Sequence, residues 1–158
     1  MPDLLQADTV VEDDQWPDLS GLTEKCFETV TSNKFESLQG GVVAILLSND
    51  ERLQQLNRDF RGKDKPTNVL SFPAGEPLQG APADMPQLIG DIALSFETCA
   101  REASEKGIAF EHHAAHLIIH GLLHLFGYDH IEEKDAAEME ALEIELLAQM
   151  GIKNPYEV

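Results

Sequence analysis

A chain of 158 residues with 42% hydrophobic and 25% charged side chains has the composition of one globular domain, which excludes a disordered or fibrous protein. Its longest apolar runs, such as Gly41 to Leu47, fall far short of the roughly 20 residues that a membrane helix needs. The net charge of −18 repels nucleic acid on average, yet five of the eleven bases (Arg52, Arg58, Arg61, Lys63 and Lys65) crowd into one window, so an anion is expected to bind near residues 52–65.

In chain order, residues 3–11 are apolar enough for a first strand. The acidic opening has no basic stretch followed by an apolar one, so no signal peptide is expected. Residues 20–33 predict a helix with Ser20 as its N-cap and Leu22, Cys26, Phe27 and Val30 at helical spacing. The β-branched run at 41–48 predicts a buried strand, and Ser48, Asn49 and Asp50 offer caps for a helix over 51–60. Leu53, Leu56 and Phe60 fall on one face of that helix, Gly62 ends it, and a charged loop leads to a strand at 69–72. The proline-rich stretch 73–87 predicts a surface loop, followed by a strand at 88–95. Three helices then cover about 96–107, 111–126 and 134–150.

This order, β-α-β-α-β-β-α-α-α, predicts a single α+β domain over residues 1–158. It is expected to have a small mixed sheet of about four strands packed with about five helices. Cys26 and Cys99 are too few and too far apart for a disulfide framework, and are expected as reduced, buried thiols of a cytoplasmic protein.

All six histidines lie between residues 112 and 130. His120 and His124, at i and i+4, present two imidazoles on one helix face. Gly127 offers a helix end, after which the chain can turn back to deliver His130. Three neutral imidazoles would leave a tetrahedral Zn²⁺ one open position, the catalytic rather than structural arrangement. His116 is also one turn from His120. A straight helix sets His116 and His124 about 12 Å apart along its axis, too far to share an ion with bonds of ~2.0–2.1 Å. His116 is therefore expected behind the ligands or against a phosphate, and His112 and His113 at the surface.

The segment His120 to His130, HGLLHLFGYDH, also resembles the HExxHxxGxxH pattern of metzincin proteases, with Gly121 where those enzymes place their catalytic glutamate. The missing carboxylate disfavours peptide hydrolysis. Gly121 is expected to leave room over the metal for a phosphodiester.

Together, HGLLHLFGYDH, KDKPTNVLSFP (Lys63 to Pro73) and GDIALS (Gly90 to Ser95) resemble the bacterial YbeY family over roughly residues 40–150. The resemblance implies a zinc-dependent, single-strand-specific endoribonuclease of the cytoplasm, acting in rRNA maturation at the 16S 3′ end and in ribosome quality control. It implies one zinc per chain on His120, His124 and His130, and Arg61 as the functionally important arginine. Lys63 and Lys65 would track the RNA backbone. Ribosomal RNA and the small ribosomal subunit with its proteins are the implied partners, with neither DNA nor membrane expected. Two other readings stay open: a ribosome-assembly factor with a mainly structural zinc, and a metallohydrolase of another substrate such as peptides.

Overall fold

The computed structural model describes residues 6–33, 41–73, 87–125 and 133–156. Its elements follow the predicted order: β1 (Gln6–Val11), α1 (Ser20–Asn33), β2 (Gly41–Ser48), α2 (Asp50–Arg61), β3 (Val69–Pro73), β4 (Gln87–Ser95), α3 (Phe96–Lys106), α4 (Phe110–Leu125) and α5 (Glu133–Gln149). Most of the proline-rich stretch, residues 74–86, lies outside the described residues.

The four strands form one mixed sheet in the order β1-β2-β4-β3. β1, β2 and β4 run parallel, and β3 pairs antiparallel with β4 at the edge, Leu70 opposite Ala93. Alternation decides which side chain meets which layer. Val43, Ile45, Leu47, Ile92 and Leu94 point into the main core, shared with α1, α3, α4 and α5. Ala93 and Leu70 belong to a smaller cluster on the opposite face, closed by Leu53 and Leu56 of α2.

Local signals explain the helix ends. Asn49 caps α2 by accepting from Arg52 N (3.0 Å), and Gly62 stops it in the left-handed conformation (φ 71°), open to glycine without strain. Ser20 is not the cap of α1; it is the first helical residue, and its N–H donates to Asp18 Oδ1 (2.9 Å). The parallel β2 and β4 deliver α2 and α3 from the same end of the sheet, where Asp50 accepts from Ser95 Oγ and from Thr98 Oγ1 (2.5 Å for the latter).

Phe60 shares its face of α2 with Leu53 and Leu56, as expected, but is far less covered. Leu53 is fully buried, whereas Phe60 is 70% exposed, packed on one side against Phe72 of β3 and bordering an open groove on the α2 face of the sheet. α4 is buried from His113 through Ile119 and again at Gly121 to Leu123, an apolar helix enclosed by the sheet and its neighbouring helices. Both cysteines are buried and free, and burial pushes each thiol up to about 12, helped at Cys99 by the Glu102 charge.

Candidate active site

The C-terminal half of α4 brings His120 and His124 together, with their Nε2 atoms 3.1 Å apart and ring centroids 4.6 Å apart. Two ligands of a tetrahedral ion with bonds of ~2.0–2.1 Å stand roughly 3.3 Å apart, so the pair fits a shared cation. His120 is fixed from behind: its Nδ1 lies 2.5 Å from Glu143 Oε1 on α5. A carboxylate there keeps the proton on Nδ1 and turns the Nε2 lone pair toward the cleft, the usual support of a metal-binding imidazole.

Glu143 is wholly buried, which opposes its ionisation. Hydrogen bonds with His116, His120 and Tyr156 outweigh that cost and hold its carboxyl at about 2. Tyr156 donates its hydroxyl to Glu143 Oε2, and both burial and this carboxylate push the phenol far above its ordinary range. His116 stands behind the pair, its Nε2 3.5 Å from Glu143 Oε1 and 3.3 Å from the Tyr156 hydroxyl. His116, His120 and Glu143 could themselves bind a metal ion, their ligand atoms lying within 4.8 Å of one another. The 2.5 Å separation within this group is that of a strong hydrogen bond. His130 lies outside the described residues.

A cleft of about 520 Å³ opens in front of His120 and His124, and the same cleft is lined by Arg61, Lys63 and Lys65. Among its described lining residues are four cations, the fourth being Arg101, and one carboxylate, Glu102. A chain of −18 thus presents a locally positive cleft. Strand β3 joins its two sides. Arg61 Nη2 donates to the Ser71 carbonyl (2.8 Å), while Ser71 Oγ donates to the Gly121 carbonyl of α4 (3.2 Å). Arg61 also lies over the Phe72 ring, 5.9 Å from its centroid. The charged loop after α2 is pinned by the buried Asn57, whose Nδ2 donates to the Lys65 carbonyl (3.0 Å) and whose carbonyl accepts from Lys63 N (3.2 Å).

Two expectations require correction. His113 is not at the surface; it is 1% exposed, with Nε2 2.8 Å from Glu102 Oε1, whereas His112 is exposed. Gly121 does not open space over the histidines. It faces the sheet, where a Cβ would meet Ile92 at 3.0–3.1 Å and Ser71 Oγ at 3.1 Å. The glycine lets α4 approach β3 and β4 closely, and a longer side chain there would push the helix off the sheet.

Glu143, Tyr156, Ser71 and Asn57 did not stand out in the sequence. Glu143 had a readable signal: it shares the buried stripe of α5 with Met139, Leu142, Leu146 and Leu147. A carboxylate at such a position needs a partner.

The fold and the site together define an α+β protein whose buried central helix opens a carboxylate-supported histidine pair into a cationic cleft. The family model for Endoribonuclease YbeY matches residues 9–151. The chain is 43% identical to Endoribonuclease YbeY of Bradyrhizobium diazoefficiens, covering 98% of this chain and 87% of that one. It is 48% identical to Endoribonuclease YbeY of Sphingopyxis alaskensis, with coverage of 89% and 91%. To that of Erythrobacter litoralis it is 56% identical over 72% and 73%. The fold is similar to the solution structure of TM1509 from Thermotoga maritima, with a TM-score of 0.57, 22% identity and coverage of 98% and 100%. This chain belongs to the endoribonuclease YbeY family.

Proposed function

We propose that the endoribonuclease activity of this chain is zinc-dependent, specific for single strands and directed at ribosomal RNA. Maturation of the 16S 3′ end and quality control of ribosomes in the cytoplasm are its settings, with the small ribosomal subunit and its proteins as partners. The observation that carries the reading is the meeting of the His120–His124 pair with Arg61, Lys63 and Lys65 in one cleft. Among the described residues no helix is long and apolar enough to cross a membrane.

One zinc per chain would sit on His120, His124 and His130. When bound it supplies a Lewis acid for a phosphoryl oxygen. The chain's own residues do the rest. Glu143 holds His120 in the tautomer that leaves Nε2 for the metal, and His116 and Tyr156 hold Glu143. His116 acts through that carboxylate rather than on the substrate. The planar Arg61 guanidinium, steadied by Ser71 and Phe72, grips the phosphate and offsets charge that grows in the transition state. Lys63 and Lys65, on a loop held by Asn57, follow the backbone on either side.

The test is elemental analysis of protein purified without chelators, then assays on single-stranded RNA, duplex RNA and casein side by side. About one zinc per chain and cleavage confined to the single strand are expected. Arg61→Ala should slow that cleavage by roughly 10- to 1,000-fold, about 1.4–4 kcal/mol. Its stability cost should stay near 1 kcal/mol, since one hydrogen bond at an exposed side chain is lost. A protein without divalent metal, or one that cuts duplex or casein as readily, overturns the reading.

A further inference from the structure

Phe60 is a large apolar side chain left 70% exposed. A single exposed hydrophobe needs no explanation, but this one has a placement that does. Its ring packs edge-on against Phe72, with centroids 5.5 Å apart and planes at 61°. Phe72 also lies beneath the guanidinium of Arg61, the residue that follows Phe60 and lines the histidine cleft. Phe60 and Phe72 also line an apolar groove of about 560 Å³ on the α2 face of the sheet, with Leu46 and Leu56. Groove and cleft thus meet at the Arg61–Phe72 contact.

Among the described residues lining the groove, Asp91 alone is charged. An acid would repel a phosphate, so a strand leaving the cleft would keep its backbone on the Arg61, Lys63 and Lys65 side. What an apolar groove edged by an exposed aromatic ring accepts is the flat face of a base. Resting on the functional reading above, we infer that Phe60 is a stacking platform for a base of the single-stranded RNA whose phosphate Arg61 holds. The groove shelters that base. Stacking is open to a single strand, whose bases can splay outward, and closed to a duplex, whose bases are already stacked. This gives the single-strand preference a physical source outside the metal site.

The experiment compares the parent with Phe60→Ala and Phe60→Trp on one RNA oligonucleotide and on copies of it carrying an abasic nucleotide at successive positions. Loss of one stacked base should raise KM about tenfold in Phe60→Ala, with metal content and thermal midpoint unchanged. At one position the abasic copy should slow the parent but not Phe60→Ala, because the partner of the missing base is already gone. Phe60→Trp should restore cleavage, and its indole fluorescence should be quenched by the oligonucleotide beyond any change seen for Trp16 in the parent. Equal KM for parent and Phe60→Ala, or equal sensitivity of both to every abasic position, overturns the inference and leaves the metal-site reading standing. So does a Phe60→Ala variant that cuts free RNA normally yet binds small ribosomal subunits less well, which would assign the groove to a protein. A parent that neither binds nor cuts the RNA overturns both.

Discussion

Helix α4 carries two histidine–glutamate pairs about two turns apart, and comparing them separates a structural clamp from a site. His113 meets Glu102 of α3 at 2.8 Å, and His120 meets Glu143 of α5 at 2.5 Å. Each pair ties α4 to a neighbouring helix. The difference lies in the second ring nitrogen. His113 Nδ1 is buried with no hydrogen-bond partner among the described residues. His120 Nε2 faces His124 Nε2 at 3.1 Å on the wall of a cationic cleft. A carboxylate behind an imidazole is therefore common to both, and only the environment of the far nitrogen makes one of them a candidate ligand.

The largest test of this difference replaces one histidine at a time. His124→Ala should remove the metal and bring RNA cleavage down to that of chelator-treated parent. His113→Ala should keep its metal and lose only stability. Elemental analysis and cleavage on the same preparations decide it; metal loss in both variants would break the distinction.

A smaller effect is expected one step further back. Glu143→Gln should weaken metal affinity by about 10- to 100-fold, the usual cost of losing the group that orients a ligand. Glu102→Gln, though it lines the same cleft, should leave that affinity alone, because its partner His113 does not line the cleft with His120 and His124. Competition against a chelator of known affinity measures both.

The smallest effect concerns pH. Burial holds the His113 imidazole below its usual range, against the opposing pull of Glu102, with Lys106 and His116 adding to the lowering. Burial opposes ionisation of Glu102, but its hydrogen bonds to His113 and Asn68 win and lower its carboxyl. A histidine that is less basic when folded contributes stability above its unfolded value near 6.5, lost as pH falls below it. The lowered carboxyl acts in the same direction further down, below about 4.5. The unfolding free energy should therefore fall between pH 7.5 and 5.5 for the parent, and fall less steeply for His113→Gln. Parallel curves would show that His113 does not carry the slope.

Much of this molecule is legible in its sequence. The β-branched run at Gly41–Ser48, the cap candidates before α2 and its Gly62 stop, and the i, i+4 spacing of His120 and His124 are local patterns, set by backbone geometry and near-neighbour chemistry. The clustering of Arg61, Lys63 and Lys65 is likewise written in the chain. Other residues looked alike in sequence and came apart in space. Glu143 shares its helix with Glu138, Glu140 and Glu145, yet it alone of these is buried, because α5 turns that stripe toward α4. His112 and His113 are adjacent, and a helical step of about 100° puts one in water and the other in the core.

The sequence by itself determined the elements, their order, the histidine pair and the basic segment, since each depends on residues a few positions apart. Only the tertiary structure decided that β3 would hold Arg61 through the Ser71 carbonyl and α4 through the Ser71 hydroxyl, closing the cleft from two distant segments. It also decided that Gly121 would face Ile92 and the sheet, and that Phe60 would stay largely exposed while Leu53 on the same helix face is buried. Periodicity states which residues share a face. What that face meets depends on sheet order and helix placement, which no local pattern encodes.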